Sequence, residues 1–314
     1  MSLQRKSPNF LVKFVSKSRI CCRKPSAFDR CYNVRVIHFS EDAFLNKQNL
    51  HTHTTYTDGK NSPEEIILEA IERGFDSIGF SEHSYLRYSS YPSQLTAEKA
   101  ERYKAEIRAL AKKYADRLGV FCGLEYDFYS EAETGYDYVI GSVHYLACEG
   151  GIFSFDKNLE KTLDFIRDNF SGNSFDFAKR YYETVANLPS RCDIDIIGHF
   201  DLLTKNNELG RFIDTSEKGY LSLGYDAIHA LKGKIPLFEV NTGAIARAYR
   251  TAPYPQIEFL RAFKECGFGA VISSDCHNKD FLDCQFDSAR ELLRTVGFKS
   301  RWILTDDGFK EVEL

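Results

Sequence analysis

Hydrophobic and polar positions follow two alternating patterns along the chain from residue 48 onward. Short apolar runs, such as FDSIGFSEH, VFCGLEYDF, YDYVIGSVHYL, CDIDIIGHFDLL and GAVISSDCH, predict strands. They alternate with longer amphipathic segments of helical periodicity, and a short tail follows the last helix. The first helical segment has clear boundary signals: Ser62 as N-cap, Pro63 at the first position and Gly74 at the end. This order of elements is typical of a parallel sheet built from βα units.

The number of apolar runs indicates the architecture. We count about seven strands, which is close to a (β/α) barrel and too many for half of a three-layer domain. No Gly/Ser-rich linker separates them, and no internal repeat is visible. We therefore predict one α/β domain over residues 48–314.

Residues 1–47 do not share this pattern, because basic side chains outweigh acidic ones there. The apolar stretch FLVKFV is too short and too interrupted for a secretory signal, whereas the Arg/Ser bias leaves a transit peptide open. We expect a poorly ordered basic extension or a start site assigned too far upstream. No stretch of the chain is long and apolar enough to cross a membrane.

Composition narrows the range of partners. The 314 residues are 43% hydrophobic and 27% charged, as in ordinary globular proteins, and the formal net charge is −4. This balance does not favour a surface that coats nucleic acid, so no nucleic-acid partner is expected. The nine cysteines are odd in number and lack C-x-x-C spacing, which suits a reducing cytoplasm and gives no zinc-finger pattern.

Metal-binding side chains collect where the predicted strands end. His51 and His53 point to the same side of an extended strand, because side chains alternate with a period of two. The carboxyl ends of parallel barrel strands meet at one mouth, so residues far apart in sequence converge there. His38 lies in the extension, and His229, in a helix, is interpreted as structural. The predicted ligand set is His51, His53, Asp58, His83, Glu125, His144, His199, Asp275 and His277.

This ligand set predicts a metal centre. Burying so many polar groups side by side is costly unless cations hold them. Imidazole with carboxylate suits Zn²⁺, Mn²⁺ or Fe²⁺ rather than the all-oxygen shell of Mg²⁺ or Ca²⁺. Nine ligands are too many for one ion, and a carboxylate can bridge two. We therefore expect two or three divalent ions as the cofactor.

Seven motifs together carry a family resemblance. They are HTHTTYTDG, GFSEHS, GLEYDF, IGSVHY, IIGHFDLL, EVNTGAIAR and ISSDCH. In this order they resemble the polymerase and histidinol phosphatase (PHP) family, and within it the stand-alone histidinol-phosphatases, from about Gln48 to Trp302. The resemblance implies a distorted (β/α)7 TIM-like barrel with up to three metal ions. The basic extension departs from the family, whose members commonly begin near the first H-x-H.

By motif position, the resemblance also implies how the ligands are shared. His51, His53, Glu125 and Asp275 would hold a first ion; Glu125, His144 and His199 a second; and Asp58, His83 and His277 a third. The implied activity is hydrolysis of L-histidinol phosphate to L-histidinol and phosphate in histidine biosynthesis, by in-line attack without a phospho-enzyme. Glu125 would act as the bridging ligand. Asp201 would supply or relay a proton to the leaving group, or else orient a ligand histidine.

Other polar residues near the predicted mouth are candidates for binding the substrate. Arg247 could grip a phosphate in a bidentate manner, with Lys205 and Arg180 as weaker candidates. Glu239 and Asn241 are expected at the rim, where they would contact the amino and imidazole groups of histidinol or brace the loop.

Three alternatives stay open at the level of sequence. A PHP phosphoesterase could act on a nucleotide or another small phosphate ester. A non-catalytic PHP module could support a polymerase or other partner, although the intact ligand set disfavours this. A metal-dependent amidohydrolase can also place H-x-H on its first barrel strand, but such enzymes typically bridge metals with lysine, where this chain has Glu125.

Overall fold

The computed structural model describes residues 46–87, 94–131 and 133–314. The predicted extension, with His38, lies outside these residues except for its last two positions. The strands are β1 (Gln48–Asn49), β2 (Ser77–His83), β3 (Gly119–Asp127), β4 (Tyr138–Ser142), β5 (Tyr145–Cys148), β6 (Gly151–Ser154), β7 (Ile196–Ile197), β8 (Leu237–Asn241), β9 (Gly269–Ser273), β10 (Ser300–Thr305) and β11 (Gly308–Glu313). The helices are α1 (Pro63–Glu72), α2 (Ala97–Tyr114), α3 (Leu159–Phe170), α4 (Ser174–Ala186), α5 (Lys218–Leu231), α6 (Gly243–Ala246), α7 (Ile257–Cys266) and α8 (Phe286–Val296).

Local sequence signals explain where the first helix begins and ends. The side chain of Ser62 accepts a hydrogen bond from the Glu65 amide, and the Glu65 carboxylate accepts one from the Ser62 amide. This capping box satisfies backbone donors that the first turn would otherwise leave unpaired. Beyond the helix, Gly74 adopts φ +68°, a left-handed conformation that favours glycine. The predicted helix is confirmed at both ends.

Seven strands form one parallel sheet in the order β1-β2-β3-β4-β7-β8-β9. Helices connect most of these strands, and the sheet curves until its two outer strands approach each other. Just beyond β1 and β9, the Cys276 amide donates to the His51 oxygen at 3.0 Å, and the His53 amide donates to the Cys276 oxygen at 2.9 Å. The predicted seven-stranded α/β barrel is confirmed, with its closure at the H-x-H segment.

The inner face of the sheet changes character along the strands. Near the amino ends of the strands, Leu50, Phe121, Tyr138, Ile140, Ile196, Leu237, Val271 and Leu304 form a compact apolar cluster. Because strand side chains repeat with a period of two, Glu125, Ser142, Glu239 and Ser273 stand further along the same face. We call this apolar cluster the apolar floor of the barrel. A buried polar layer lies above it, towards the carboxyl ends of the strands.

Tyr138 fills the space between the strands of this floor. Its hydroxyl donates to the backbone oxygen of Leu50 and lies 3.1 Å from that of Phe80. A Cβ at Gly79 would lie 2.3 Å from the hydroxyl oxygen, and one at Gly123 would lie 2.2 Å from the ring. Both positions therefore require glycine, because the tyrosine leaves no room for a side chain.

Several predicted boundaries differ from the observed elements. The run YDYVIGSVHYL is not one strand but β4 followed by β5, which pairs with β6 in an antiparallel hairpin. The run CDIDIIGHFDLL contributes only the two residues of β7, because the chain turns directly into a 3₁₀ segment. The predicted short tail forms the antiparallel β10–β11 hairpin, which packs Leu304 against the apolar floor. Within the described residues, no helix is both long and apolar enough to span a membrane.

Candidate metal centre

All nine predicted ligand residues stand at the carboxyl ends of the parallel strands or in the loops that follow them. His51 and His53 flank Thr52, which forms the closing bridge with Cys276. Both histidines are fully buried, and their ring centroids are 5.2 Å apart. The extended backbone thus directs both imidazoles to the same side, as the spacing predicts.

Glu125 lies at the centre of the histidine cluster. Its Oε1 is 2.9 Å from His199 Nε2, 3.3 Å from His51 Nε2 and 3.4 Å from His144 Nε2. Its Oε2 is 2.7 Å from His83 Nδ1 and 3.5 Å from His53 Nε2. Burial alone would raise the pKa of this carboxyl, but the surrounding imidazoles outweigh burial and hold the pKa well below its usual range.

Two aspartates complete the cluster on its other side. Asp58 places Oδ2 3.4 Å from His83 Nε2 and Oδ1 3.2 Å from His277 Nε2. Asp275 places Oδ1 3.4 Å from His53 Nε2 and 3.7 Å from His51 Nε2. Six imidazoles and three carboxylates are therefore close enough to share cations.

Four overlapping groups of side chains have the spacing of metal ligands. In each group, one ligand atom per residue lies within 4.8 Å of the others. The groups are His53, Asp58, His83 and His277; His51, His53 and Glu125; His51, His199 and Asp275; and His83, Glu125 and His144. They contain the same nine residues as the predicted set. His83 joins Asp58 and His277, as the family resemblance implies, and also Glu125 and His144, whereas His199 joins His51 and Asp275 instead of Glu125 and His144.

The hydrogen-bonding state of the rings fits metal ions. Nε2 of His51 and both ring nitrogens of His53 are buried without a well-formed hydrogen bond to any described residue. Burial, reinforced by His277 and His83, lowers the pKa of His53 to about 3, so this ring is neutral. A neutral imidazole that offers a lone pair beside carboxylates is the ligand state that Zn²⁺, Mn²⁺ and Fe²⁺ require.

The cluster opens into a cavity of about 400 Å³. Seven of the nine predicted ligands line this cavity, all but His51 and His53, and the rest of the lining includes the β5–β6 hairpin and the segments after β7 and α6. The remaining lining residues include Leu86, Gln94, Asp127, Tyr145, Ser154, Asp156, Lys157, Leu202, Lys205, Arg247 and Tyr249. This volume suits a small molecule.

Arg247 lines this cavity and contacts the ligand set directly. Its Nη2 donates to Asp275 Oδ2 at 2.7 Å, and its Nη1 donates to the Asp275 backbone oxygen at 3.0 Å. His277 Nδ1 lies 2.8 Å from Nη1. Burial alone would lower the pKa of the Arg247 guanidinium, but its attraction to Asp275 and its hydrogen bond with that residue raise the pKa. Arg247 is therefore a permanent positive charge beside the metal-binding residues.

Lys205 also lines the cavity, where it is paired with a carboxylate. Its Nζ lies 3.1 Å from Asp156 Oδ2 and 5.1 Å from the centre of the Tyr249 ring. Burial would raise the pKa of Asp156, but Lys205 and His144 lower it to about 2. The pair places one ammonium group and one carboxylate at the mouth of the site.

Arg180 and Asp201 are among the predicted site residues that do not line the cavity. Arg180 is half exposed on α4, where its guanidinium donates to the Ala147 oxygen at 3.1 Å. Asp201 is fully buried; its Oδ2 accepts a hydrogen bond from the Gln256 amide at 3.0 Å and lies 3.7 Å from Arg250 Nη1. Burial raises the pKa of Asp201.

Glu239 and Asn241 do not lie at the predicted rim. Both are fully buried below the histidine rings. Glu239 contacts His51 Nδ1 at 2.9 Å and accepts a hydrogen bond from the His199 amide at 2.6 Å. Asn241 donates to Glu239 and accepts a hydrogen bond from the Gly243 amide. Their contacts match the bracing role that sequence analysis left open.

Three carboxylates that contact residues of the candidate site or its loops, Glu82, Asp127 and Asp156, are not among the residues predicted from the sequence. Asp127 accepts a hydrogen bond from the His144 amide at 2.8 Å, and Asp156 pairs with Lys205. Glu82 is fully buried and accepts hydrogen bonds from the amide and hydroxyl of Thr54 at 2.9 and 2.6 Å. Glu82 and Asp127 had a detectable signal, since each is a charged residue in an otherwise apolar run. Asp156 lies in a loop, where no periodicity marks it.

Comparison with known proteins agrees with this geometry. The family model described as PHP domain matches residues 49–234. A "Probable histidinol-phosphatase" from Deinococcus radiodurans is 30% identical over 261 residues, which cover 79% of this chain and 92% of that protein. Another from Schizosaccharomyces pombe is 27% identical over 256 residues, covering 76% of this chain and 82% of that protein.

A solved structure has the same fold. It is histidinol phosphate phosphatase from Lactococcus lactis subsp. lactis Il1403, complexed with zinc, L-histidinol and phosphate. The TM-score is 0.65 at 18% identity, and the match covers 84% of this chain and 99% of that chain.

Proposed function

This chain belongs to the PHP domain family, and from that premise we propose that it hydrolyses L-histidinol phosphate to L-histidinol and phosphate, in histidine biosynthesis. The observation that carries the proposal is the convergence of nine histidine, aspartate and glutamate side chains in one cluster, seven of which line a cavity of about 400 Å³. The curated relatives from Deinococcus and fission yeast bear the corresponding name.

The proposed cofactor is a set of two or three divalent ions, Zn²⁺, Mn²⁺ or Fe²⁺. Glu125 is the proposed bridging ligand, which is supported by its position among five imidazoles. Asp58, His83 and His277 are proposed to hold a separate ion, since their ligand atoms form a group without Glu125. When bound, such ions polarise phosphoryl oxygens and bring the pKa of water close to neutrality.

Positive side chains of the cavity are proposed to bind the phosphate. The guanidinium of Arg247 donates hydrogen bonds to the backbone and side chain of Asp275, which supports a fixed orientation at the cavity. A planar guanidinium matches two phosphate oxygens, whereas the ammonium of Lys205 acts as a point charge. Together they would offset the negative charge that builds up on the phosphoryl group during in-line displacement.

We assign Asp201 a bracing role in preference to proton transfer. Its carboxylate is directed at the Gln256 amide and Arg250, and it does not line the cavity. It would hold the segment that follows His199 against the loop before α7. Arg180, which lies on the surface of α4, is not assigned to the substrate.

The organic part of the substrate would lie against the part of the cavity lining that comes from the β5–β6 hairpin and from the segments after β7 and α6. Tyr145, Leu202 and Tyr249 offer apolar surface there, and Asp156 offers a carboxylate. A cationic amine or imidazolium could pair with the Asp156 carboxylate and still contact the ring of Tyr145 or Tyr249. We propose residues 48–314 as the catalytic domain, and the cytoplasm as its location, in line with the unpaired cysteines of the described residues.

The decisive experiment measures phosphate release from L-histidinol phosphate beside a panel of nucleotides and sugar phosphates. Chelated protein is reconstituted with Mn²⁺, Zn²⁺ or Fe²⁺ in parallel. We expect a kcat/KM for histidinol phosphate at least ~10³-fold above the panel, because that discrimination requires specific contacts to the amine and imidazole. A flat profile would retain the metal phosphatase and reject histidinol phosphate as its dedicated substrate.

A further inference from the structure

We infer that Glu239 sets the tautomer of His51 and thereby controls the affinity of one metal position while leaving another unaffected. The inference rests on the proposed metal-dependent function. It concerns a positioning residue, because Glu239 touches neither the cavity nor the proposed substrate. Its basis is the set of hydrogen bonds around one buried carboxylate.

Glu239 has no hydrogen-bonding capacity left for a ligand. Its Oε1 accepts from the His199 amide at 2.6 Å and from Asn241 Nδ2 at 2.8 Å. Its Oε2 accepts from Ser273 Oγ at 2.5 Å and lies 2.9 Å from His51 Nδ1. An ionised carboxylate has about four lone-pair positions, and all of them are used here.

This arrangement determines which nitrogen of His51 carries the proton. A carboxylate that only accepts requires a donor at His51 Nδ1, so the proton resides on Nδ1. The lone pair is then on Nε2, which faces Glu125 Oε1 at 3.3 Å and Asp275 Oδ1 at 3.7 Å. Of the two neutral tautomers of His51, the hydrogen bond to Glu239 therefore selects the one that can bind a cation between the ring and those two carboxylates.

Replacement of Glu239 by glutamine would invert this tautomer. The His199 amide and the Asn241 amide both donate to the same oxygen of Glu239, so the glutamine carbonyl must occupy that position. Its NH₂ group would then face His51 Nδ1 and force that nitrogen to accept. The proton would move to Nε2, where it points at the metal position and competes with the ion.

The loss of metal affinity in Glu239→Gln would be confined to part of the metal centre. Glu239 contacts no side chain of the group formed by Asp58, His83 and His277. That position should keep its affinity, whereas the position that includes His51 should lose about 10–100-fold, the usual effect of removing a partner that orients a metal ligand. A general loss of structure would weaken every position.

The test titrates metal-free Glu239→Gln and wild-type protein with Zn²⁺ against a chromophoric chelator, which resolves affinity for each equivalent. The matched control is Glu160→Gln, an exposed glutamate in the first turn of α3, which should bind zinc as wild type does. Selective weakening of one equivalent by at least ~10-fold supports the inference. Unchanged affinity for every equivalent, or equal weakening of all, overturns it.

A second measurement covers the case in which the variant does not fold. In zinc-loaded wild-type protein, ¹⁵N chemical shifts of His51 should show a protonated Nδ1 and a metal-bound Nε2. Zinc on Nδ1 would overturn the inference. Neither result depends on the substrate, so a protein that fails to hydrolyse histidinol phosphate would reject the proposed function and leave this test intact.

Discussion

The guanidinium group of Arg247 is bound to both the side chain and the backbone of Asp275, with Nη2 2.7 Å from Oδ2 and Nη1 3.0 Å from the backbone oxygen. One candidate phosphate-binding side chain is therefore anchored on one candidate metal ligand. Charge balance between them keeps the carboxylate ionised, since burial opposes ionisation but Arg247 and the neighbouring histidines lower the pKa of Asp275.

Arg247→Ala should raise KM for phosphate esters and lower kcat/KM by roughly 10–100-fold, which corresponds to the loss of one or two hydrogen bonds to a charged group. Steady-state phosphate release measures the change. Arg211→Ala is the matched control, because Arg211 is exposed and pairs only with Asp214 among the described residues. Unchanged kinetics in Arg247→Ala would remove this arginine from the site.

Glu125→Ala should abolish turnover and release bound metal, because five imidazoles would lose the carboxylate that they surround. His53→Ala should also lower turnover and release bound metal. Elemental analysis of the purified variants gives the metal content, and phosphate release gives the activity. A Glu125→Ala protein with full activity would rule out the bridging assignment.

Asp156→Asn should free the ammonium group of Lys205 from its ion pair at the mouth of the cavity. If Asp156 compensates the cationic part of histidinol phosphate, KM for this substrate should rise about 10-fold, while KM for a phosphate monoester with an uncharged organic group should change much less. Parallel assays with the two substrates separate the outcomes. An equal rise for both would assign Asp156 to the orientation of Lys205 alone.

Glu82→Gln should change how the stability of the metal-free protein depends on pH. Burial raises the pKa of Glu82 from 4.5 to about 7. A group whose pKa is higher in the folded state contributes stability that is present below pH 4.5 and is lost as the pH rises through 7. Glutamine does not titrate, so the variant does not lose stability in this way. Its free energy of unfolding relative to wild type should therefore increase between pH 5 and pH 8 by up to about 3 kcal/mol.

Urea unfolding of both proteins in the presence of a chelator, at pH 5 and pH 8, measures this difference. Titrations of histidines that do not interact with Glu82 occur in both proteins and cancel in the comparison. Parallel curves, with the same difference in unfolding free energy at both pH values, would show that Glu82 is ionised or neutral throughout.

The sequence was informative wherever side-chain chemistry coincided with strand periodicity. His51 and His53 could be placed on one side of the chain because a strand has a fixed period, and the other ligands could be placed at one mouth because all strands are parallel. The number of barrel strands, about seven, followed from the same alternation of apolar runs.

The depth of a residue within the barrel could not be read in this way. Glu239 occupies a strand end as Glu125 does, yet it lies beneath the histidine rings because Ser273 and the His199 amide bind it from neighbouring strands. Asp156 and Lys205 meet through the packing of two loops, and loop conformation has no periodic signal. These features depend on contacts between distant segments, which a single sequence does not encode visibly.

Closure of the barrel also determines when the metal centre can exist during synthesis. The side chain of Asn49 is bound to Ser274, 225 residues later, and the adjacent amides of His53 and Cys276 seal the sheet. A ribosome that adds about 5–20 residues per second takes roughly 11–45 s to cover that distance. Throughout that interval the first two histidines are present without Asp275 or His277, so the complete cofactor can be loaded only after the last barrel strand has emerged.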